Sequence, residues 1–390
     1  MAKDETIVVV AGRDPKAHYG AVNTPVYRTS TILFETLDEF EAGVHDPAKR
    51  KFRYGRIGTP TSASLEDAVA RLEGGAHCRL APSGLAAVST ALLAYLSAGD
   101  HLLMTAGGYH PTHNFCNLIL KRFGIETTYY DPLVGADIEK LIRPNTKVVF
   151  VESPSTGLFE MQDIPAIAQV AHAHGATVIM DNTWASPLYF KPFTHGVDVS
   201  IQAATKYIVG HSDAMLGTIT TTEQAWPRLQ ETHRWLGQTA GPDDIYLGLR
   251  GLRTLAARLA MHHKNGLTLA RYLATKAEVE HIYHPALEDD PGHSLWKRDF
   301  LGASGLFSIR LTAWVTREAL AAMLESLKFF GMGFSWGGYE SLVSPFRLKS
   351  YRDVSDDDDR WIVRVHAGLE NPDDLIEDLE AGFAKLATFK

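Results

Sequence analysis

Thr177-Val178-Ile179-Met180-Asp181 and Val197-Asp198-Val199-Ser200-Ile201-Gln202-Ala203-Ala204-Thr205-Lys206 are the stretches on which the reading of this chain turns. Each starts as a short, β-branched apolar run and ends in a charged side chain. Residues 177–180 and 197–201 read as buried strands, and Val148-Val149-Phe150-Val151 reads as a third. Between them, residues 164–174 carry helical spacing. Strands alternating with helices of ~10 residues imply βαβ units and a mostly parallel sheet. The class is α/β.

Working outward, residues 64–72 have helical periodicity. Residues 84–96 form an Ala/Leu-rich helix opened by the small-residue turn Pro82-Ser83-Gly84. Residues 1–60 are rich in turn formers and aromatics (Tyr19, Tyr27, Phe34, Phe52, Tyr54) and read as an irregular arm lying on another subunit. Residues 61–250 make the sheet domain, and 251–390 a smaller α+β domain. In the latter a long helix spans 252–274, strands lie near 305–311 and 361–365, and a last helix covers 372–386. Asn371 is its expected N-cap, with Asp373 and Asp374 complementing the dipole.

The 390 residues are 45% hydrophobic and 22% charged, with 32 glycines and 18 prolines, enough for substantial cores and far from disordered composition. A net charge of −8 offers no basic footprint for nucleic acid or anionic lipid. Two cysteines, Cys78 and Cys116, give neither a disulfide framework nor a zinc site. The charged N-terminus and an apolar run too short for a signal core, with no run near ~18 apolar residues, place the chain in the cytoplasm. A small-molecule enzyme is the expectation.

In a parallel sheet, functional groups gather at the carboxyl ends of strands. Asp181 ends one strand and Lys206 follows another. The Ser83-Gly84-Leu85 turn opens a helix whose N–H groups suit a phosphate. Singly, a capping aspartate and a surface lysine are the ordinary explanations. Together they are what pyridoxal 5′-phosphate (PLP) requires: a lysine to bind it covalently, an acid for its pyridine nitrogen and an anion site.

Asp181-Asn182-Thr183-Trp184, Ser200 to Tyr207 with Gly210-His211-Ser212-Asp213, Tyr54-Gly55-Arg56, Ser83 to Ala87, Tyr109 and Arg364 resemble, over nearly the whole chain, the Cys/Met-metabolism family of PLP enzymes. That family has the aspartate-aminotransferase-like (type I) fold. Gly292-His293, Trp296 to Phe300, Gly305 to Ser308 and Ser335 to Leu342 resemble its β-lyase branch. The resemblance implies β-elimination from cystathionine, giving homocysteine, pyruvate and ammonia, with other cysteine S-conjugates as further substrates. A γ-lyase or γ-synthase of the same family is the alternative. Phe334 stands where γ-relatives usually carry glutamate and β-lyases often tyrosine. Ala203 replaces a common phosphate-binding serine.

The resemblance also implies roles. Lys206 holds the cofactor and removes the Cα proton. Asp181 keeps the pyridine nitrogen protonated, and Tyr109 stacks on the ring. Gly84, Leu85 and Thr205 bind the phosphate, joined by Tyr54 and Arg56 of a neighbouring subunit in a homodimer or homotetramer. Arg364 takes the substrate carboxylate, and Phe334, Ser335 and Trp336 line the substrate side.

Gly333-Phe334-Ser335-Trp336-Gly337 also matches the G-x-S-x-G elbow of serine hydrolases, with Asp353 and His366 following in order. Its mechanics need a helix after the serine, and Gly338 and Pro345 oppose one. His110, His113, His262 and His263 lack metal-ligand spacing and read as hydrogen-bonded histidines. The acidic run 356–359 reads as a solvated loop.

Overall fold

The fold, described by a computed structural model for residues 2–45, 52–347, 349 and 360–390, is organised around two sheets. The larger holds β1 (His77–Ala81), β2 (His101–Thr105), β3 (Glu126–Tyr130), β4 (Thr146–Glu152), β5 (Thr177–Asp181), β6 (Val199–Gln202) and β7 (Gly217–Thr221). Their order is β1-β7-β6-β5-β4-β2-β3. The run β6-β5-β4-β2-β3 is parallel, and β7 is antiparallel to both neighbours. β2 and β7 are buried along their whole length, as a sheet covered on both faces demands.

Helices α1 (Asp4–Val10), α2 (Leu37–His45), α3 (Pro60–Glu73) and α4 (Gly84–Tyr95) come first, then α5 (His110–Phe115), α6 (Ile164–Ala173) and α7 (Ser186–Tyr189). α8 (Trp226–Trp235) and α9 (Pro242–Leu252) precede α10 (Leu255–Leu273). The second sheet is β10-β11-β12-β9-β8, from β8 (Val279–Tyr283), β9 (Leu306–Leu311), β10 (Gly331–Met332), β11 (Leu342–Arg347) and β12 (Trp361–His366). With it go α11 (His293–Asp299), α12 (Arg317–Leu324) and α13 (Pro372–Ala387). Asn371 caps α13, its Oδ1 accepting the Asp373 N–H at 3.0 Å.

One local expectation is corrected and another is met. The first residues are not wholly irregular: α1 buries Val8 and Ala11 in this chain's own core, and Arg253 donates to both their carbonyls. Tertiary contacts fold a β-branched segment that has no side-chain cap of its own. The long helix expected over 252–274 is present as α10, starting at Leu255; the Arg253-Thr254 break separates it from α9, and there the buried Arg258 guanidinium donates to the Gly251 and Tyr207 carbonyls and the Thr254 hydroxyl.

Candidate active site

The ends of β4 and β5 and the β6–β7 loop bound a cavity of about 350 Å³. Gly84, Leu85, Tyr109, Glu152, Asp181, Thr205, Lys206, Phe334, Trp336 and Arg364 line it. Two wider clefts, of about 790 and 680 Å³, carry neither Lys206 nor Asp181; Arg56 lines both and Tyr54 the second. Within one chain, then, Tyr54 and Arg56 stand apart from the other candidate residues. Arg56 Nη1 donates to the Arg234 carbonyl at 2.9 Å.

Lys206 sits in the loop after β6, and its Nζ donates to Ser335 Oγ at 2.8 Å and lies 5.2 Å from the Trp336 ring centre. Burial, with the Arg364 guanidinium nearby, lowers its amine from 10.5 to about 8. Gly337, at φ +85°, lets the Ser335–Trp336 segment close on the lysine, since a Cβ there would meet Lys206 backbone at 3.0 Å. Arg364 on β12 donates to the carbonyls of Phe334 (2.7 Å) and Ser335 (3.3 Å), tying the second sheet to that segment. Phe334 is 95% exposed at the rim.

Asp181 Oδ1 accepts from Thr183 N (3.0 Å) and Oγ1 (2.5 Å). Burial nevertheless raises the carboxyl, against those bonds and the pull of Lys206. A carboxylate so placed gains from a cationic ring nitrogen. At α4, Ser83 Oγ accepts the Ala86 N–H (3.1 Å) and Ser83 O that of Ala87 (3.0 Å). The N–H groups of Gly84 and Leu85 are thereby left for an anion. A Cβ on Gly84 would come 2.6 Å from Ala203 Cβ, so glycine is what admits the helix end to the cavity wall. Thr205 Oγ1 donates to Leu216 O (3.1 Å) and accepts from Leu216 N (2.9 Å), so it must redirect its proton to bind a phosphate. Lysine, buried acid and glycine cradle together fit PLP.

Glu152, which no motif singled out, lines the same cavity. Its signal was an acid ending an otherwise apolar strand. Among the described residues Ser335 leads into bends and then a strand rather than directly into a helix, and its hydroxyl faces a lysine; Asp353 and residues 356–359 lie outside them. The hydrolase elbow is not formed. His113, His262 and His263 bond backbone groups, and no cluster of His, Cys, Asp or Glu suits a metal among the described residues. No described helix is long and apolar enough to cross a membrane.

Fold and cavity define a type I PLP-dependent α/β enzyme. The profile of the family described as Cys/Met metabolism PLP-dependent enzyme matches residues 5–384. The chain belongs to that family. It is 47% identical over 376 residues to a putative cystathionine beta-lyase of Rhizobium johnstonii (96% of this chain, 94% of the relative). It is 45% identical over 390 residues to a cystathionine beta-lyase of Escherichia coli (98% and 99%). The crystal structure of cystathionine gamma-lyase from Lactobacillus plantarum complexed with L-serine superposes with a TM-score of 0.90 at 31% identity, covering 99% of this chain and 100% of that one.

Proposed function

We propose that this chain is a cystathionine β-lyase, converting L-cystathionine and water to homocysteine, pyruvate and ammonia. The observation that carries β- over γ-chemistry is the aromatic Phe334 at the rim, where a γ-lyase or γ-synthase usually presents glutamate. The relatives of Rhizobium johnstonii and Escherichia coli, at 47% and 45% identity, carry the β-lyase name, whereas a gamma-synthase of Mycobacterium bovis stands at 34%.

Bound PLP supplies the electron sink for the pair left when the Cα–H bond breaks. Arg364, already aimed by two carbonyls, grips the α-carboxylate with its planar fork. Lys206 Nζ, held by Ser335 and lowered toward 8, takes the Cα proton as a neutral amine. Asp181 keeps a proton on the ring nitrogen. The Tyr109 hydroxyl serves proton transfer to the departing sulfur as the Cβ–S bond opens. Gly84, Leu85 and Thr205 hold the phosphate. Trp336, packed beside Lys206, shields the substrate side, and Phe334 stands at its rim. Incubation with L-cystathionine tests the reading: pyruvate supports it, and 2-oxobutyrate overturns it in favour of γ-elimination.

The site is completed, in this reading, by Tyr54 and Arg56 of a second copy in a homodimer or dimer of dimers. That they line a separate cleft and not this chain's own cavity supports it, as do the exposed apolar side chains of Tyr19, Leu33 and Leu37. Arg56→Ala removes a charge-assisted contact of about 1.5–3 kcal/mol and weakens cofactor retention. Mixed with Lys206→Ala under subunit exchange, it should regain activity, because one hybrid site then carries neither defect. Demonstrated exchange without recovery counts against shared sites.

A further inference from the structure

Glu152 ends β4 directly opposite Asp181 in the β4–β5 register and is 7% exposed. Its Oε2 accepts the backbone N–H of Tyr109 at 2.8 Å, and its Oε1 pairs with the Thr156 hydroxyl. Thr156 N in turn donates to Gly107 O at 2.8 Å, so the end of β4 grips the loop before α5 at two points. Tyr109 needs that grip. The residue is 43% exposed, and its phenol makes no hydrogen bond among the described residues. Backbone placement therefore sets where the ring lies.

We propose that Glu152 is the positioning residue that holds Tyr109 over the cavity. The contact stands by itself; only its consequence for turnover rests on the β-lyase reading. Burial, with Asp181 adding to it, raises the Glu152 carboxyl to about 8. Both of its oxygens act as acceptors, Oε1 from the Thr156 hydroxyl and Oε2 from the Tyr109 amide. The other ionisable groups lining the cavity are Asp181, Lys206, Tyr109 and Arg364. An ionised Glu152 would set a second negative charge beside Asp181. A glutamine keeps an uncharged acceptor for the Tyr109 amide, and an alanine does not.

Hydrogen exchange of the Tyr109 amide in the cofactor-free protein reads the contact without any turnover. Glu152→Ala should exchange faster there, and Glu152→Gln should keep wild-type protection. If the alanine variant does not accumulate, Glu152→Met, close in volume and unable to accept from the amide, carries the same comparison. In the loaded enzyme, Glu152→Ala should lower kcat by about 10²-fold, the scale of a small misplacement. Glu152→Gln should recover most of that. In a Tyr109→Phe background the loss should shrink, since the two residues act as one unit. Unchanged exchange in Glu152→Ala or Glu152→Met, or additive losses in the cycle, overturns the proposal. A wrong substrate assignment leaves the exchange result untouched.

Discussion

The cavity at the strand ends and the histidine pair behind Trp336 are both buried and ionisable, yet they are built in opposite ways. His262 and His366 are 0% and 1% exposed, with ring centres 5.1 Å apart and Tyr207 packed against both. His262 Nδ1 bonds the Ala367 carbonyl at 2.8 Å, and His366 Nε2 accepts the Gly337 N–H at 3.1 Å. Burial pushes His262 down to about 4 and His366 well below its ordinary value. Both rings are neutral and pinned to backbone. In the cavity, burial instead works against Lys206 and Asp181 where neither has a strong counter-ion bond. Perturbation alone does not mark a reacting group; perturbation facing a cavity does.

Variants in the two regions can break this contrast. Lys206→Ala should lower kcat by roughly 10⁴-fold or more, because proton transfer and covalent attachment go together, while the urea midpoint barely moves. Borohydride reduction and peptide mapping should place the pyridoxyl label on Lys206; a label on another lysine refutes the role. Asp181→Asn should bind cofactor yet lose at least ~10²-fold in kcat, since an amide gives up a charge-assisted bond to the ring nitrogen. Wild-type turnover with a normal cofactor spectrum would remove Asp181 from the chemistry.

Two smaller effects sharpen it. In cofactor-free protein the Lys206 amine should acylate with a midpoint near pH 8, its neutral fraction rising with pH; a midpoint near 10.5 would mean a solvated lysine. On the histidine side, the folded His262 titrates near 4 and the unfolded one near 6.5. The unfolded chain therefore binds the extra proton between those values. Stability should fall as pH drops from 6.5 toward 4, by up to about 3 kcal/mol from this group. His262→Gln should flatten the pH dependence of the urea midpoint without a comparable loss of kcat. Equal slopes would show that the pair is already open to protons.

Legibility in the sequence followed the same division. The strands β4, β5 and β6 announce themselves as apolar runs, and Asp181 and Lys206 stand out as charges at their ends. Ser83-Gly84 and Asn371 are readable as helix starts because capping is local chemistry. β1, β3 and β7 (His77–Ala81, Glu126–Tyr130, Gly217–Thr221) hide because polar and Thr-rich segments become strands only through their neighbours. α1 hides for the same reason. Glu152 hides because the partner that matters, the Tyr109 backbone N–H, lies 43 residues away, a pairing no spacing encodes. His366 reads in the sequence as a triad member, yet in the fold its Nε2 accepts the Gly337 N–H and holds that turn.

The antiparallel pairing of β6 with β7 carries one more consequence. Gln202 and Thr218 are partners across that ladder, so the loop bearing Lys206 leaves and returns to the same rung. In polymer terms it is a closed ring, whose closure entropy is set once, when the ladder zips, and grows only slowly with added length. Residues inserted near Ser212 or Asp213, on the far arc, would lengthen the ring while leaving Thr205–Lys206 clamped beside its knot. A parallel return would have needed a crossover helix, and the lysine would then have inherited every wobble of that helix against the sheet.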